Sequence, residues 1–178
     1  METELTRRRS LVERMQGAAL LHIDVYEEVE ADTTATSQAA VVVGIVAVAA
    51  AVGGLSAGGQ GFFSGLLGAY VGWLVWSGLT YLIGDRIFGG TATWGELLRT
   101  IGFAQAPGVL LVLALVPVLG GIAVVGVRLW MLVTGIVAIR QALDFDTGRA
   151  ILTALLGWLA AVLVALVAAL VAGVPIAP

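Results

Sequence analysis

Cysteine and lysine are absent from this chain of 178 residues, and histidine occurs only once, as His22. Without cysteine the chain forms neither disulfides nor thiolate metal sites. A single histidine also excludes a metal centre built from several imidazoles of one chain. The sequence also contains no Ser-His-Asp arrangement, no HExxH zinc motif and no P-loop. We therefore expect a protein without enzymatic activity, without a metal and without a cofactor.

Charge is scarce too. Only 12% of the residues are charged, 60% are hydrophobic, and the mean hydropathy is +1.03. A soluble domain carries about 25% charged and roughly 45–50% apolar residues. The net charge is −3, and the nine arginines form no basic stripe of the kind that binds nucleic acid. The composition predicts an integral membrane protein that does not bind nucleic acid.

Five apolar stretches can cross a bilayer, which takes about 20 residues in a helix. They cover roughly residues 36–55, 62–83, 91–119, 122–139 and 150–172. The predicted fold class is therefore an all-α integral membrane protein with five transmembrane helices and a short N-terminal amphipathic arm. We divide the chain into a cytoplasmic arm, residues 1–33, and a five-helix membrane domain, residues 34–178.

The third stretch begins as an amphipathic run and continues as apolar sequence across Gln105 and Pro107. Proline frees a backbone carbonyl, which neighbouring helices must satisfy inside a bilayer. We therefore place this stretch within the bundle, as one kinked span made of residues 91–103 and 106–119. The alternative is a re-entrant hairpin, which would leave an even number of crossings.

The arm is first basic and then acidic. Its arginines, followed by a small apolar helical face, predict an in-plane helix that contacts anionic lipid headgroups, although a solvated tail fits the same pattern. The acidic run is read either as a solvated helical turn or as a docking surface for a basic protein partner. The proposed headgroup contacts are Arg7, Arg8, Arg9 and Arg14, and the proposed docking residues are Tyr26, Glu27, Glu28, Glu30 and Asp32.

The arginines also predict the orientation. With five crossings, the arm cluster, Arg86, Arg99, Arg140 and Arg149 all fall on one side, which the positive-inside rule makes cytoplasmic. The loops near residues 58 and 120 and the C-terminal tail carry no ionisable side chain. We expect the N-terminus inside the cell and the C-terminus outside.

Among the polar residues within the spans, Gln105 and Arg128 are the strong candidates for an intramembrane site. An ionisable residue inside the membrane is costly and commonly marks a site. Arg128 either snorkels to the outer headgroups or faces the bundle, where it would bond to helix carbonyls, Gln105 or a lipid phosphate. The sequence leaves both arrangements open.

The fifth span carries a small residue at every fourth position, a pattern typical of close helix contact in lipid. This ridge predicts tight packing either within the chain or between two copies, so a homo-oligomer is a candidate assembly. The ridge consists of Gly157, Ala161, Ala165, Ala169 and Gly173.

Three regions carry a recognisable pattern: residues 25–32 with Tyr26-Glu27-Glu28, residues 93–107 with Leu98-Arg99-Thr100-Ile101-Gly102-Phe103-Ala104, and residues 130–150 with Gly148-Arg149-Ala150. Together they resemble the Yip family of Ypt- and Rab-interacting membrane proteins. The resemblance implies a five-helix membrane domain with a cytoplasmic N-terminus. Eukaryotic relatives of this kind are linked to Rab-type GTPases, vesicle traffic and membrane shape. The absence of lysine and the abundance of alanine, glycine and valine favour a bacterial source, hence the bacterial plasma membrane.

Taken together, these features predict a non-enzymatic multi-pass protein with a structural, adaptor or membrane-organising role. Its expected partners are membrane lipids and a protein at the cytoplasmic face. The alternative is a small transporter, channel or lipid-handling protein. Gln105 and Arg128 alone are a thin polar lining for a pathway, so we favour the first role.

Overall fold

The structure is a computed structural model that describes residues 8–57 and 62–171; the side chains of residues 56, 57, 62–64, 165 and 168–171 lie outside the description. Within these residues the chain forms α-helices and two 3₁₀ segments, Gly54–Ala57 and Ala106–Leu115. The α-helices are α1 Leu11–Ala19, α2 Ile23–Ala31, α3 Ala35–Gly53, α4 Phe62–Arg86, α5 Trp94–Ala104, α6 Leu119–Ala142 and α7 Thr147–Val171.

Five segments are long and apolar enough to cross a membrane, which confirms the predicted all-α class with five spans. They are Ala35–Gly53, Gly65–Arg86, Trp94–Leu115, Leu119–Ala142 and Thr147–Val164. The fifth span begins three residues earlier than expected, since Asp146 accepts a bond from the Arg149 amide at 3.1 Å and caps α7. The bundle therefore has a charged end, with the arm and the loops at 87–93 and 143–146, and an uncharged end opposite.

The third span changes its helix type where the sequence predicts a kink. After Ala104 the α-helix becomes a 3₁₀ helix, and the Gly108 amide bonds to the Gln105 carbonyl at 2.8 Å instead of reaching back four residues. The Ala104 carbonyl is thereby freed, and the Thr134 hydroxyl of α6 donates to it at 2.6 Å. A neighbouring helix thus satisfies the backbone near Pro107, as a bilayer requires.

The core lies towards the charged end and surrounds α5. All residues from Leu97 to Ala104 are buried, and α5 packs against α1, α2, α3, α4 and α6. From its middle onwards, by contrast, α7 exposes Trp158, Leu159 and Val164, which point in different directions around the helix. Packing is therefore dense at one end of the bundle and loose at the other.

The arm forms two short helices that join this core. Ser10 and Glu13 cap α1 reciprocally, and the turn to α2 passes through Leu21, whose φ is 63°. Ala18 of α1 and Val25 of α2 are buried in the same core as the bundle helices. The division of the chain into an arm and a membrane domain at residue 33 stays a prediction. In the structure, α2 shares one core with the spans.

Candidate functional site

A cluster of opposite charges holds α1, α2 and α3 together around Arg14, whose side chain is only 1% exposed. Its Nε and Nη2 donate to one Glu28 oxygen at 3.0 and 2.9 Å, and Nη2 also donates to Asp32 at 2.7 Å. Nη1 donates to the Gln38 side chain at 2.9 Å. Arg14 is thus buried and bonded to protein groups, and its proposed contact with lipid headgroups is wrong.

The other arm arginines differ from one another. Arg9 pairs with Asp24 and Glu28 and remains partly exposed. Arg8 is exposed, and Arg7 lies outside the described residues. Headgroup binding at Arg8 and Arg9 stays a prediction.

Two carboxylates of the acidic run, Glu28 and Asp32, belong to this cluster. Glu28 and Asp32 bind the arm arginines, and a hydrogen bond from the Thr34 side chain, aided by Arg14, lowers the pKa of Asp32 to about 2. Tyr26 is fully buried, so its proposed place on a docking surface is wrong. Its hydroxyl donates to the carbonyl of Ala18 at 2.8 Å. Of the proposed docking residues, Glu27 is exposed.

Arg99 of α5 is a structural residue, whereas the sequence indicated only its place on the cytoplasmic side. Its side chain is buried, and its Nε donates to the carbonyls of Val29 and Glu30 at 2.9 and 3.1 Å. These carbonyls belong to the last turn of α2, where a positive charge is favourable. Glu30 itself has its pKa raised to about 7, chiefly by burial and then by the nearby charges of Glu96 and Asp144.

Two apolar clefts meet in the middle of the bundle. One, of about 640 Å³, lies between α4, α5, α6 and α7, and its wall includes Trp73, Trp76 and Trp158. The other, of about 510 Å³, lies between α3, α4, α6 and the third span. Gln105 and Arg128 line both. The structure therefore brings together the two intramembrane polar residues that the sequence singled out.

Arg128 lies nine residues after the start of α6, or about 14 Å from the uncharged end at 1.5 Å per residue. It also lines a third cleft of about 360 Å³, which Gly53, Gly54 and Gly121 border at that end. No carboxylate lines any of the three clefts within the described part of the chain. Among residues 8–57 and 62–171, neither the Arg128 guanidinium nor the side-chain amide of Gln105 has a hydrogen-bonding partner.

A small group of buried polar side chains lies where α4 meets α7. The hydroxyls of Ser77, Thr80 and Thr153 and the indole nitrogen of Trp76 have no partner among the described residues. A methyl group at Gly157 would lie 2.9 Å from the Thr80 hydroxyl, so α7 approaches α4 closely there. The ridge of the fifth span thus begins as a contact within the chain. The side chains of Ala165 and Ala169, and all of Gly173, lie outside the description.

No group of three histidine or carboxylate side chains in the described ranges is placed to hold a metal ion. The clefts are apolar, with one cation and one amide at their junction. The fold and the clefts together define a polytopic helical membrane protein with apolar clefts between its spans.

The three regions that carried the resemblance meet in one core. Arg99 reaches α2, the Tyr26 hydroxyl lies 3.3 Å from the Thr134 carbonyl, and Thr134 bonds to the third span. The family model described as the Yip1 domain matches residues 24–169, and the chain belongs to this family. Comparison with curated proteins and with solved structures gives no match.

Proposed function

We propose that the protein is a membrane-organising component that inserts its α1–α2 hairpin as a wedge into the cytoplasmic leaflet. The observation that carries the proposal is the bond from the Trp130 indole nitrogen to the Ala19 carbonyl, 2.7 Å long. It joins the tip of the hairpin to α6 at a point far from the charged end of that helix.

The depth follows from helix geometry. The 24 residues of α6 measure about 36 Å, roughly 6 Å more than the hydrocarbon core. Thr134 and Trp130 lie eight and twelve residues before the end of α6, or about 12 and 18 Å from it. If the surplus length projects at the charged end, the hairpin tip lies about 6–12 Å inside the core boundary. Amphipathic helices that lie in one leaflet are buried about 5–10 Å.

The chemistry of the tip supports the same placement. Leu20, Leu21 and Ile23 are exposed on the protein surface, with 62%, 37% and 42% of each residue uncovered. Leu21 adopts a positive φ, which a turn in water normally assigns to glycine or asparagine. An apolar residue at that position suits a turn surrounded by acyl chains.

The charged cluster at the base of the hairpin also supports insertion, because its charges are paired. Arg14 is neutralised by Glu28 and Asp32, so the base of the hairpin brings no unpaired guanidinium towards the hydrocarbon. The arginines at this end also support a cytoplasmic N-terminus by the positive-inside rule. The composition, which lacks lysine, supports the plasma membrane of a bacterium as the location.

The test is the preference of the reconstituted protein for curved membranes. Fluorescent protein is incorporated into tethered vesicles of graded diameter, and its density is measured against diameter. We expect enrichment on small vesicles when the hairpin faces the convex leaflet. Replacing both Leu20 and Ile23 with alanine reduces the inserted volume and should weaken that enrichment.

The matched control is a double alanine variant at Leu67 and Leu159, which are exposed leucines on α4 and α7 away from the hairpin. It should keep the enrichment of the unmodified protein. Equal curvature preference in all three proteins, or no preference in any, would refute the wedge.

A further inference from the structure

The strongest unexplained feature is the unpaired guanidinium of Arg128 at the junction of three clefts. A charge near the bilayer centre costs about 2.5–3.5 kcal/mol on insertion scales, and such residues pair with a partner or contact water. The described protein residues supply no anion in any of these clefts. Arg128 is exposed, so its partner is water or an anion from outside these residues.

The direction of the side chain points to the leaflet at the uncharged end. Side chains on a helix lean towards its N-terminus, and the N-terminus of α6 is at that end. The cleft bordered by Gly53, Gly54 and Gly121 leads from that end to Arg128. An anionic group drawn a short way into the bundle from this leaflet would therefore meet the guanidinium.

The cleft of about 640 Å³ extends from Arg128 towards the charged end. Its wall is apolar. Trp76 lies towards the part of the cleft nearer the charged end, and a methyl group added at Gly135 would lie 3.2 Å from its ring. Gly68 and Gly72 leave space on the α4 side, because a methyl group at either position would have no neighbour within 4 Å. An acyl chain fits this lining better than a polar solute does.

We propose that the clefts bind one anionic phospholipid from the leaflet at the uncharged end. Its phosphate pairs with Arg128, one acyl chain occupies the cleft lined by Trp73, Trp76 and Trp158, and the Gln105 amide donates to an ester carbonyl. A charged headgroup contact and an apolar chain contact are thus combined in a single site. The site is independent of the α1–α2 hairpin.

The test uses the tryptophans of the cleft as reporters. The protein is reconstituted in nanodiscs of phosphatidylcholine with graded fractions of phosphatidylglycerol that carries bromine on its acyl chains. Bromine quenches tryptophan fluorescence on contact. We expect a saturable component at low fractions of the brominated anionic lipid and only gradual quenching with brominated phosphatidylcholine.

Two independent variants should remove the saturable component. Arg128→Gln removes the charge and should weaken the apparent affinity at least tenfold, as expected for loss of a hydrogen bond to a charged group. Gly72→Leu fills the cleft without altering charge and should have a comparable effect. Arg128→Lys should retain much of the binding, because it keeps the positive charge.

Arg140→Gln, on the same helix at the charged end, is the matched control and should bind like the unmodified protein. Circular dichroism and thermal unfolding of each variant establish that it is folded. Equal quenching in Arg128→Gln and the unmodified protein would overturn the proposal and favour snorkelling. Equal affinity for both lipid headgroups, or displacement of the lipid by inorganic phosphate, would overturn it as well.

Discussion

Replacing Arg14 with methionine tests whether the arm is held by the buried charge cluster. The change removes four hydrogen bonds, two to Glu28 and one each to Asp32 and Gln38. Removing one partner of a buried ion pair costs about 3–5 kcal/mol. Glu28 retains Arg9, and the side chains of Glu28 and Asp32 are 25% and 13% exposed, so water can partly replace the lost partner. We therefore expect the lower value, about 3 kcal/mol.

The assay is reversible unfolding in mixed micelles, followed by circular dichroism. Arg8→Met is the matched control, because Arg8 is exposed, and it should change stability by less than about 0.5 kcal/mol. Asp32→Asn, alone and combined with Arg14→Met, completes a double-mutant cycle with an expected coupling of about 1–3 kcal/mol. If Arg14→Met proves as stable as Arg8→Met, or the coupling is zero, the cluster does not hold the arm.

Three further predictions follow from other parts of the structure. Because burial raises the pKa of Glu30 from 4.5 to about 7, the folded protein retains a proton that the unfolded chain releases, so stability falls as the pH rises through this window. Glu30→Gln should reduce that fall, and an unchanged pH dependence of thermal unfolding would contradict this assignment. Gly108→Ala places a methyl group 2.5 Å from Val46 and should lower the free energy of unfolding by about 1–3 kcal/mol. Gly121→Ala is the control, because its methyl group meets open space and should change stability little. Equal melting temperatures of the two variants would count against the close approach of the third span to α3. In intact cells, cysteine at position 118 should react with an impermeant maleimide and cysteine at position 144 should not; the reverse pattern would invert the proposed topology.

The spans and the kink were predictable because the bilayer acts on local sequence. Each crossing needs a long apolar run, and a proline within such a run needs outside help for its backbone. The sequence therefore placed five spans and located the kink near Pro107. It did not identify Thr134 as the donor to the freed carbonyl, since that depends on how α6 lies against the third span.

The arm was misread because its structure depends on contacts between distant residues. The basic and acidic runs were interpreted separately, as a lipid contact and as a solvated or docking surface, whereas Arg14 reaches Glu28 and Asp32 across the α1–α2 turn. Leu21 adopts the left-handed conformation in that turn, where glycine or asparagine is usual. The turn therefore lacks the residues by which it could have been predicted from the sequence. The succession of a basic and an acidic run was itself a signal for mutual pairing. Arg99 was missed for a similar reason, since its partners are backbone carbonyls.

The most direct test of the account is the membrane depth of the hairpin tip. The chain has no cysteine, so a single cysteine at Leu20 accepts a nitroxide label without competing sites. Power saturation in lipid vesicles then compares collisions of the label with oxygen, which dissolves in acyl chains, and with a water-soluble nickel chelate. A matched label at Glu27, which is exposed on α2, provides the interfacial reference. The wedge predicts that the Leu20 label is reached by oxygen and protected from nickel more strongly than the Glu27 label. A Leu20 label as accessible to nickel as the Glu27 label would contradict insertion of the hairpin.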